Sequence, residues 1–256
     1  MYPFIHIGPL TLGSYGLMVA IGLICAFFIL RADFARRGVS ADAEAIIGIT
    51  GLSGLAGSRL YHLLETPREF FADPWPQLFS TMGFAFVGAI IGGFVALVIL
   101  AKRFKMPMLL MLDAASPAAA MGYGIGRIGC LISGDGDYGI PTSLPWGMSF
   151  PNGIVPTTER VHPTPIYEFL VAILIAWFLW RLGARGLKTR APYGMIFAAY
   201  LVLTGIARFL VEMIRINPRS FYGLTNAQAA SAVSVIAGVA LYGYCLRKMP
   251  QQAIRA

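Results

Sequence analysis

The stretch LGSYGLMVAIGLICAFFIL, residues 12–30, contains no charged side chain and runs directly into Arg31. A helix of about 20 apolar residues is what the ~30 Å hydrocarbon core of a bilayer requires. Similar runs recur at residues 45–64, 82–101, 106–126, 165–180, 191–212 and 227–246. Hydrocarbon offers no water to pair the backbone, so each run is expected to be a helix. The fifth is short for a crossing, which leaves room for it to begin before Pro165.

Composition points the same way. The chain is 57% hydrophobic and only 12% charged, whereas soluble domains are about 25% charged. The expected fold is an all-α polytopic membrane protein with seven transmembrane helices, a single membrane domain over residues 1–256. The opening Met-Tyr-Pro-Phe-Ile-His lacks a basic n-region, so the first run is expected to remain as a span.

The net charge of +8 would suggest nucleic-acid binding in a soluble protein, but its distribution gives a different reading. Thirteen of the 20 basic residues fall in alternate loops: Arg31, Arg36 and Arg37; Lys102, Arg103 and Lys105; Arg181, Arg185, Lys188 and Arg190; Arg247, Lys248 and Arg255. With seven spans these loops share one side, which the positive-inside rule makes cytoplasmic. The N-terminus is then outside and the C-terminus cytoplasmic. The expected partner is the lipid bilayer and not nucleic acid. The three cysteines form no zinc spacing, and Cys25 and Cys245 lie in apolar runs as packing residues.

Two loops stand out. Residues 129–164 contain Gly-Asp-Gly-Asp-Tyr-Gly, Leu-Pro-Trp-Gly and Phe-Pro-Asn-Gly, all turn signals. They are expected to form an extracytoplasmic head between helices four and five, covering a cavity with Asp135, Asp137 and Tyr138 in its lining. Residues 65–80, with Phe70, Phe71, Trp75 and Phe79, are expected to form an interfacial arm along the membrane surface.

Arg127, Arg208 and Glu212 sit within or at the end of apolar runs. An ionised group at membrane depth costs roughly 2.5–3.5 kcal/mol on insertion scales, so it is expected to face a cavity and meet a partner. Two arginines at matching depth on separate spans suit a lipid phosphate. Arg208, Glu212 and Arg215 share a helical face, so Glu212 can orient Arg208 or simply tie the ladder together. Gly124, Gly126 and Gly129 match GxGxxG, but no strand precedes them and no βαβ unit follows, which excludes a dinucleotide site. Glycines beside Arg127 would allow close approach to a ligand. Arg59 and His62 end the second run one turn apart, and histidine is a residue type that works as a base near neutral pH. Glu168 follows His162-Pro163-Thr164-Pro165, where a carboxylate also suits a helix N-terminus.

These segments together resemble the prolipoprotein diacylglyceryl transferase family over nearly the whole chain. The resemblance rests on Ser14-Tyr15-Gly16-Leu17-Met18, Gly57-Ser58-Arg59-Leu60-Tyr61, Gly126-Arg127-Ile128-Gly129, His162-Pro163 with Tyr167-Glu168, Arg208-Phe209 with Val211-Glu212 and Arg215, and Gly223-Leu224-Thr225 with Gln228. It implies seven spans with an outer head and a multi-pass place in the bacterial inner (cytoplasmic) membrane. It implies transfer of diacylglyceryl from phosphatidylglycerol to the lipobox cysteine of a prolipoprotein, with release of glycerol phosphate and without metal or cofactor. Arg127, Arg208 and His62 are then the catalytic candidates. Tyr15, Arg59, Asp135, Asp137, Tyr138, Glu168, Glu212 and Arg215 are the substrate-binding candidates.

Some positions depart from the family. The histidine of its His-Gly-Gly segment corresponds to Val87, and two of its tyrosines correspond to Val19 and Thr204. Its Asn-Phe-Ile-Asn-Gly-Glu corresponds to Cys130-Leu131-Ile132-Ser133-Gly134-Asp135. Alternative readings are a divergent homologue with another acceptor, a non-catalytic lipid-binding membrane protein, or a small-solute transporter. The last is disfavoured because no inverted repeat or paired broken helices are visible.

Overall fold

The computed structural model describes residues 1–253 apart from residues 9, 80–82, 84 and 221. Residues 80 and 82, at the end of the arm and the start of the third run, and Arg255 lie outside the described residues. Each apolar run is helical over most of its described length: α1 (Ser14–Arg37), α2 (Ala43–Glu65), α5 (Phe86–Arg103), α6 (Met108–Ser133), α7 (Thr164–Thr189), α8 (Met195–Glu212) and α9 (Asn226–Ala253). Two short helices, α3 (Pro67–Ala72) and α4 (Pro74–Phe79), lie between α2 and α5. Among the described residues, five helices are long and apolar enough to cross a membrane: α1, α6, α7, α8 and α9. α2, which carries Ser53, Ser58, Arg59 and His62 among its apolar residues, is not among them.

The chain forms two compact units, one of Met1–Asp33 with Leu112–Ala256, the other of Phe34–Met111. In the second unit, Asp42 caps α2 by accepting from the backbone N–H groups of Glu44 and Ala45 at 2.9 and 3.0 Å. α2 packs on α5 backbone to backbone. A side chain on Gly57 would collide with the Gly88 carbonyl, and one on Gly92 with the Ser53 carbonyl. Only small residues permit that approach. Phe71 and Trp75 of α3 and α4 are exposed.

In the first unit, β1 (Phe4–Ile7) and β2 (Leu10–Gly13) pair as an antiparallel hairpin that leads into α1. Glycines again set the helix contacts. A Cβ on Gly22 of α1 would lie 3.1 Å from the Gly122 carbonyl of α6, and one on Gly124 of α6 would lie 3.0 Å from Ala172 Cβ of α7. Gly238 of α9 packs on the Ala198 carbonyl of α8 in the same way. Asp113, buried on α6, accepts from the N–H groups of Gly194 and Phe197, each at 2.8 Å, and so caps α8 from another helix. Thr225 and Gln228 form a reciprocal capping box at the start of α9, with both bonds at 3.1 Å.

The fourth run extends beyond its expected limit. α6 continues through Arg127 to Ser133, so the irregular segment starts at Gly134, which has φ +60°. Between α6 and α7, β3 (Met148–Phe150) pairs antiparallel with β4 (Thr157–Val161). The preceding loop lies beside β4, through bonds from Gly139 N to the His162 carbonyl and from Thr142 N to the Arg160 carbonyl, at 2.9 and 2.8 Å. It also reaches the end of α8, where Ile140 N donates to the Ile214 carbonyl at 2.8 Å. Tyr138, Phe150 and Val161 form the small core of this head, with the Tyr138 and Phe150 rings stacked 5.1 Å apart. Tyr138 was expected in a polar lining. It is instead buried against Phe150, with its hydroxyl 3.3 Å from the Val155 carbonyl.

Candidate functional site

The first unit gathers three guanidinium groups and three carboxylates. Arg127 comes from α6, Glu168 from α7, Arg208 and Glu212 from α8, Arg215 from the segment after α8, and Asp137 from the head. α7 starts at Thr164, which puts Glu168 four residues into the helix. Its side chain is turned into the cluster and does not cap the helix. Oε1 accepts from Arg208 Nη1 at 2.7 Å and lies 3.7 Å from Arg127 Nε. Oε2 lies 3.3 Å from Arg215 Nη1. The two arginines singled out on separate spans therefore converge on one carboxylate oxygen.

Glu212 holds α8's own cation. Its Oε2 is 2.9 Å from Arg208 Nη2, one turn back, and 3.6 Å from Arg215 Nε. Asn217 Nδ2 donates to Oε1 at 2.6 Å. Asp137 bridges two cations, with Oδ2 on Arg127 and Oδ1 on Arg215. Its backbone carbonyl accepts from Thr164 Oγ1 at 2.5 Å, which fixes the loop. The side chains of Glu212, Glu168 and Arg215 are 0%, 4% and 4% exposed, whereas Arg127, Arg208 and Asp137 keep 16%, 24% and 29%. Those three thus form the accessible side of the cluster.

Sequence reasoning did not single out Tyr123, one turn before Arg127. Its hydroxyl donates to Glu168 Oε1 at 2.5 Å, and its ring lies 4.8 Å beneath the Arg127 guanidinium. The i, i+4 spacing on a helix could have found it. Asn217 lies in an irregular segment and carried no such signal. The glycines beside Arg127 divide between roles. Gly124 packs on Ala172, and Gly129 lies against Tyr15 and Met18 of α1, so both serve helix packing. Only Gly126 borders open space.

Tyr15 lies in the field of Arg127, Asp135 and Asp137. Asp135 accepts from Asp137 N at 3.2 Å, and Cys130 Sγ is 3.7 Å from Arg127 Nη1. In the head, burial and then neighbouring Asp137 push the Asp135 carboxyl above its ordinary range. Burial also acts to raise Asp137, but Arg127 and Arg215 outweigh it and hold that carboxyl below the usual range. Cys130, Asp135 and Asp137 have ligand atoms within 4.8 Å of one another and would be the residues to hold a cation. Both Asp137 oxygens already face guanidinium groups, however, which leaves that carboxylate poorly placed to hold a cation.

Arg59 and His62 belong to the second unit. Arg59 Nη1 donates to the Gly83 carbonyl at 2.8 Å, and the His62 ring lies directly against Gly83, where φ is +80°.

The family model described as prolipoprotein diacylglyceryl transferase matches residues 3–244. A phosphatidylglycerol–prolipoprotein diacylglyceryl transferase of Clostridium tetani is 32% identical over 240 residues, covering 91% of this chain and 93% of the relative. A protein of the same name from Geobacter sulfurreducens is 33% identical over 227 residues, covering 86% and 84%. One from Clostridium perfringens, named as a second such transferase, is 31% identical and covers 91% of each chain.

Proposed function

The chain belongs to the prolipoprotein diacylglyceryl transferase family, and from that premise we propose that it moves diacylglyceryl from phosphatidylglycerol to a prolipoprotein's lipobox cysteine. The acceptor thiol loses its proton, sulfur bonds to the glyceryl carbon, and the carbon–oxygen bond to phosphate breaks. A thioether and glycerol phosphate result. The enzyme is a membrane protein, and its place is the bacterial inner membrane with seven spans, N-terminus outside and C-terminus cytoplasmic. α2 and α5 supply the two spans beyond the five, and α3 with α4 forms the interfacial arm.

The observation that carries the site assignment is that Arg127 and Arg208 meet at one Glu168 oxygen while keeping a solvent-accessible side. Arginine's planar fork can bond phosphate bidentately. Stabilising charge that grows on the leaving phosphate is the larger share of such catalysis. Glu168 and Glu212 position the two guanidinium groups, and Tyr15 and Asp135 line the approach. Arg59 contributes to substrate binding. His62 takes the thiol proton, the role for which Val87 has no suitable group.

A second assignment of the base has its own observation. Asp135 lies beside the cluster, and burial together with Asp137 raises its carboxyl above the ordinary range, which makes it a stronger proton acceptor than a free carboxylate. Complementation of a strain depleted of its own transferase tests the overall activity, and lack of growth with a correctly inserted protein would reject it. Purified His62→Ala and Asp135→Asn variants separate the two bases. The true base should cost about 10²–10⁴-fold in transfer. A fully active His62→Ala variant would transfer the role to Asp135.

A further inference from the structure

The cluster is electrically balanced before any lipid enters. Three guanidinium groups face three carboxylates, and Asp135 lies next to this set. The three carboxylates are not equivalent. Glu168 and Glu212 are fixed on helices with side chains 4% and 0% exposed. Asp137 is 29% exposed and sits on a head loop between Gly134 and Tyr138. Gly134 and Gly136 hold positive φ values of +60° and +93°, a backbone shape that other residues adopt poorly. Asp137 uses one oxygen for Arg127 and the other for Arg215, which is how a phosphate would span two guanidinium groups.

We propose that Asp137 is a specificity residue that admits the singly charged lipid phosphodiester and expels the doubly charged glycerol phosphate product. The proposal rests on the assignment of the phosphate seat to Arg127 and Arg208. A phosphodiester brings one negative charge into a balanced site. A phosphomonoester carries about −1.5 to −2 near neutral pH. Asp137 competes with both for the Arg127 guanidinium, and its repulsion acts more strongly on the dianion. Bond cleavage itself therefore converts a tolerated ligand into a rejected one. Asp137 then regains both guanidinium groups as the product leaves. One additional unit of charge at about 6 Å, in an effective dielectric near 40, corresponds to roughly tenfold in binding.

The test measures inhibition of the wild-type enzyme in phosphatidylglycerol micelles by glycerol phosphate and by its methyl diester, which carries one charge. The wild type should bind the diester at least as tightly as the monoester. Asp137→Asn should tighten inhibition by the diester by about tenfold and by glycerol phosphate by up to about tenfold more, because the repulsion removed scales with the ligand's charge. Asp137→Glu, which keeps the charge, should retain the wild-type order. A wild-type preference for the dianion, or unchanged monoester inhibition in a folded Asp137→Asn variant, would overturn the proposal. If Asp137→Asn does not fold, the wild-type charge series decides alone. Competition by neither phosphate would remove the phosphate-seat assignment, and this proposal with it. Competition in the reverse charge order would remove this proposal only.

Discussion

Replacing Glu168 by glutamine should destabilise the protein far more than loss of a surface ion pair. One Glu168 oxygen serves Arg208 at 2.7 Å and Tyr123 at 2.5 Å, and the other lies 3.3 Å from Arg215. The side chain is 4% exposed, so water cannot replace these contacts. The substitution leaves three guanidinium groups against Asp137 and Glu212, and it turns an amide N–H₂ or a weaker acceptor towards the cations. Removing one partner of a buried pair costs about 3–5 kcal/mol. That is a shift of roughly a hundredfold or more in the unfolding equilibrium. Exposed pairs give about 0–1 kcal/mol. Equilibrium unfolding in mixed detergent micelles, followed by far-ultraviolet circular dichroism, can separate these ranges. Added phosphatidylglycerol should restore part of the loss, because its phosphate supplies the missing negative charge. A loss below about 1 kcal/mol would mean that Glu168 is not the centre of the charge balance.

Arg127→Lys and Arg208→Lys should each lose activity despite the retained charge, since an ammonium cannot reproduce a planar fork; wild-type kcat/KM in either variant would contradict phosphate recognition by geometry. Glu212→Gln should lower turnover through a misplaced Arg208, and unchanged turnover would show that charge at Glu212 does not orient it. Acid should weaken the head's attachment through Asp137. Its folded-state pKa is depressed, because Arg127 and Arg215 outweigh the burial that acts to raise it. The stabilisation is therefore complete above the unfolded value of about 3.9 and is lost as pH falls through the lower folded value. Asp137→Asn should flatten that acid branch of the stability curve, measured by thermal unfolding below about pH 4. An unaltered acid branch would place the proton uptake elsewhere.

The sequence by itself determined the helices and their approximate limits, because long uncharged runs have no other stable backbone solution in hydrocarbon. It also pointed to Arg127, Arg208 and Glu212, because charge in an apolar run must be compensated. The glycines were legible as packing residues, since a missing Cβ is a local property with a local consequence. What the charges compensate was not legible. Glu168 reads as a carboxylate near a helix start, and only the placement of α6, α7 and α8 around it directs its oxygens to Arg127, Arg208 and Arg215. Tyr138 reads as a polar group in a turn, but the fold stacks it on Phe150 twelve residues away and buries it. Asp137 reads as one of two similar acidic turn residues. The bridge from the head loop to Arg127 and Arg215 lowers its pKa, while Asp135 two residues away is raised. Burial and pairing depend on distances between segments remote in the chain. Periodicity and composition report the surroundings of one segment, so the partners of each charge were decided by tertiary structure alone.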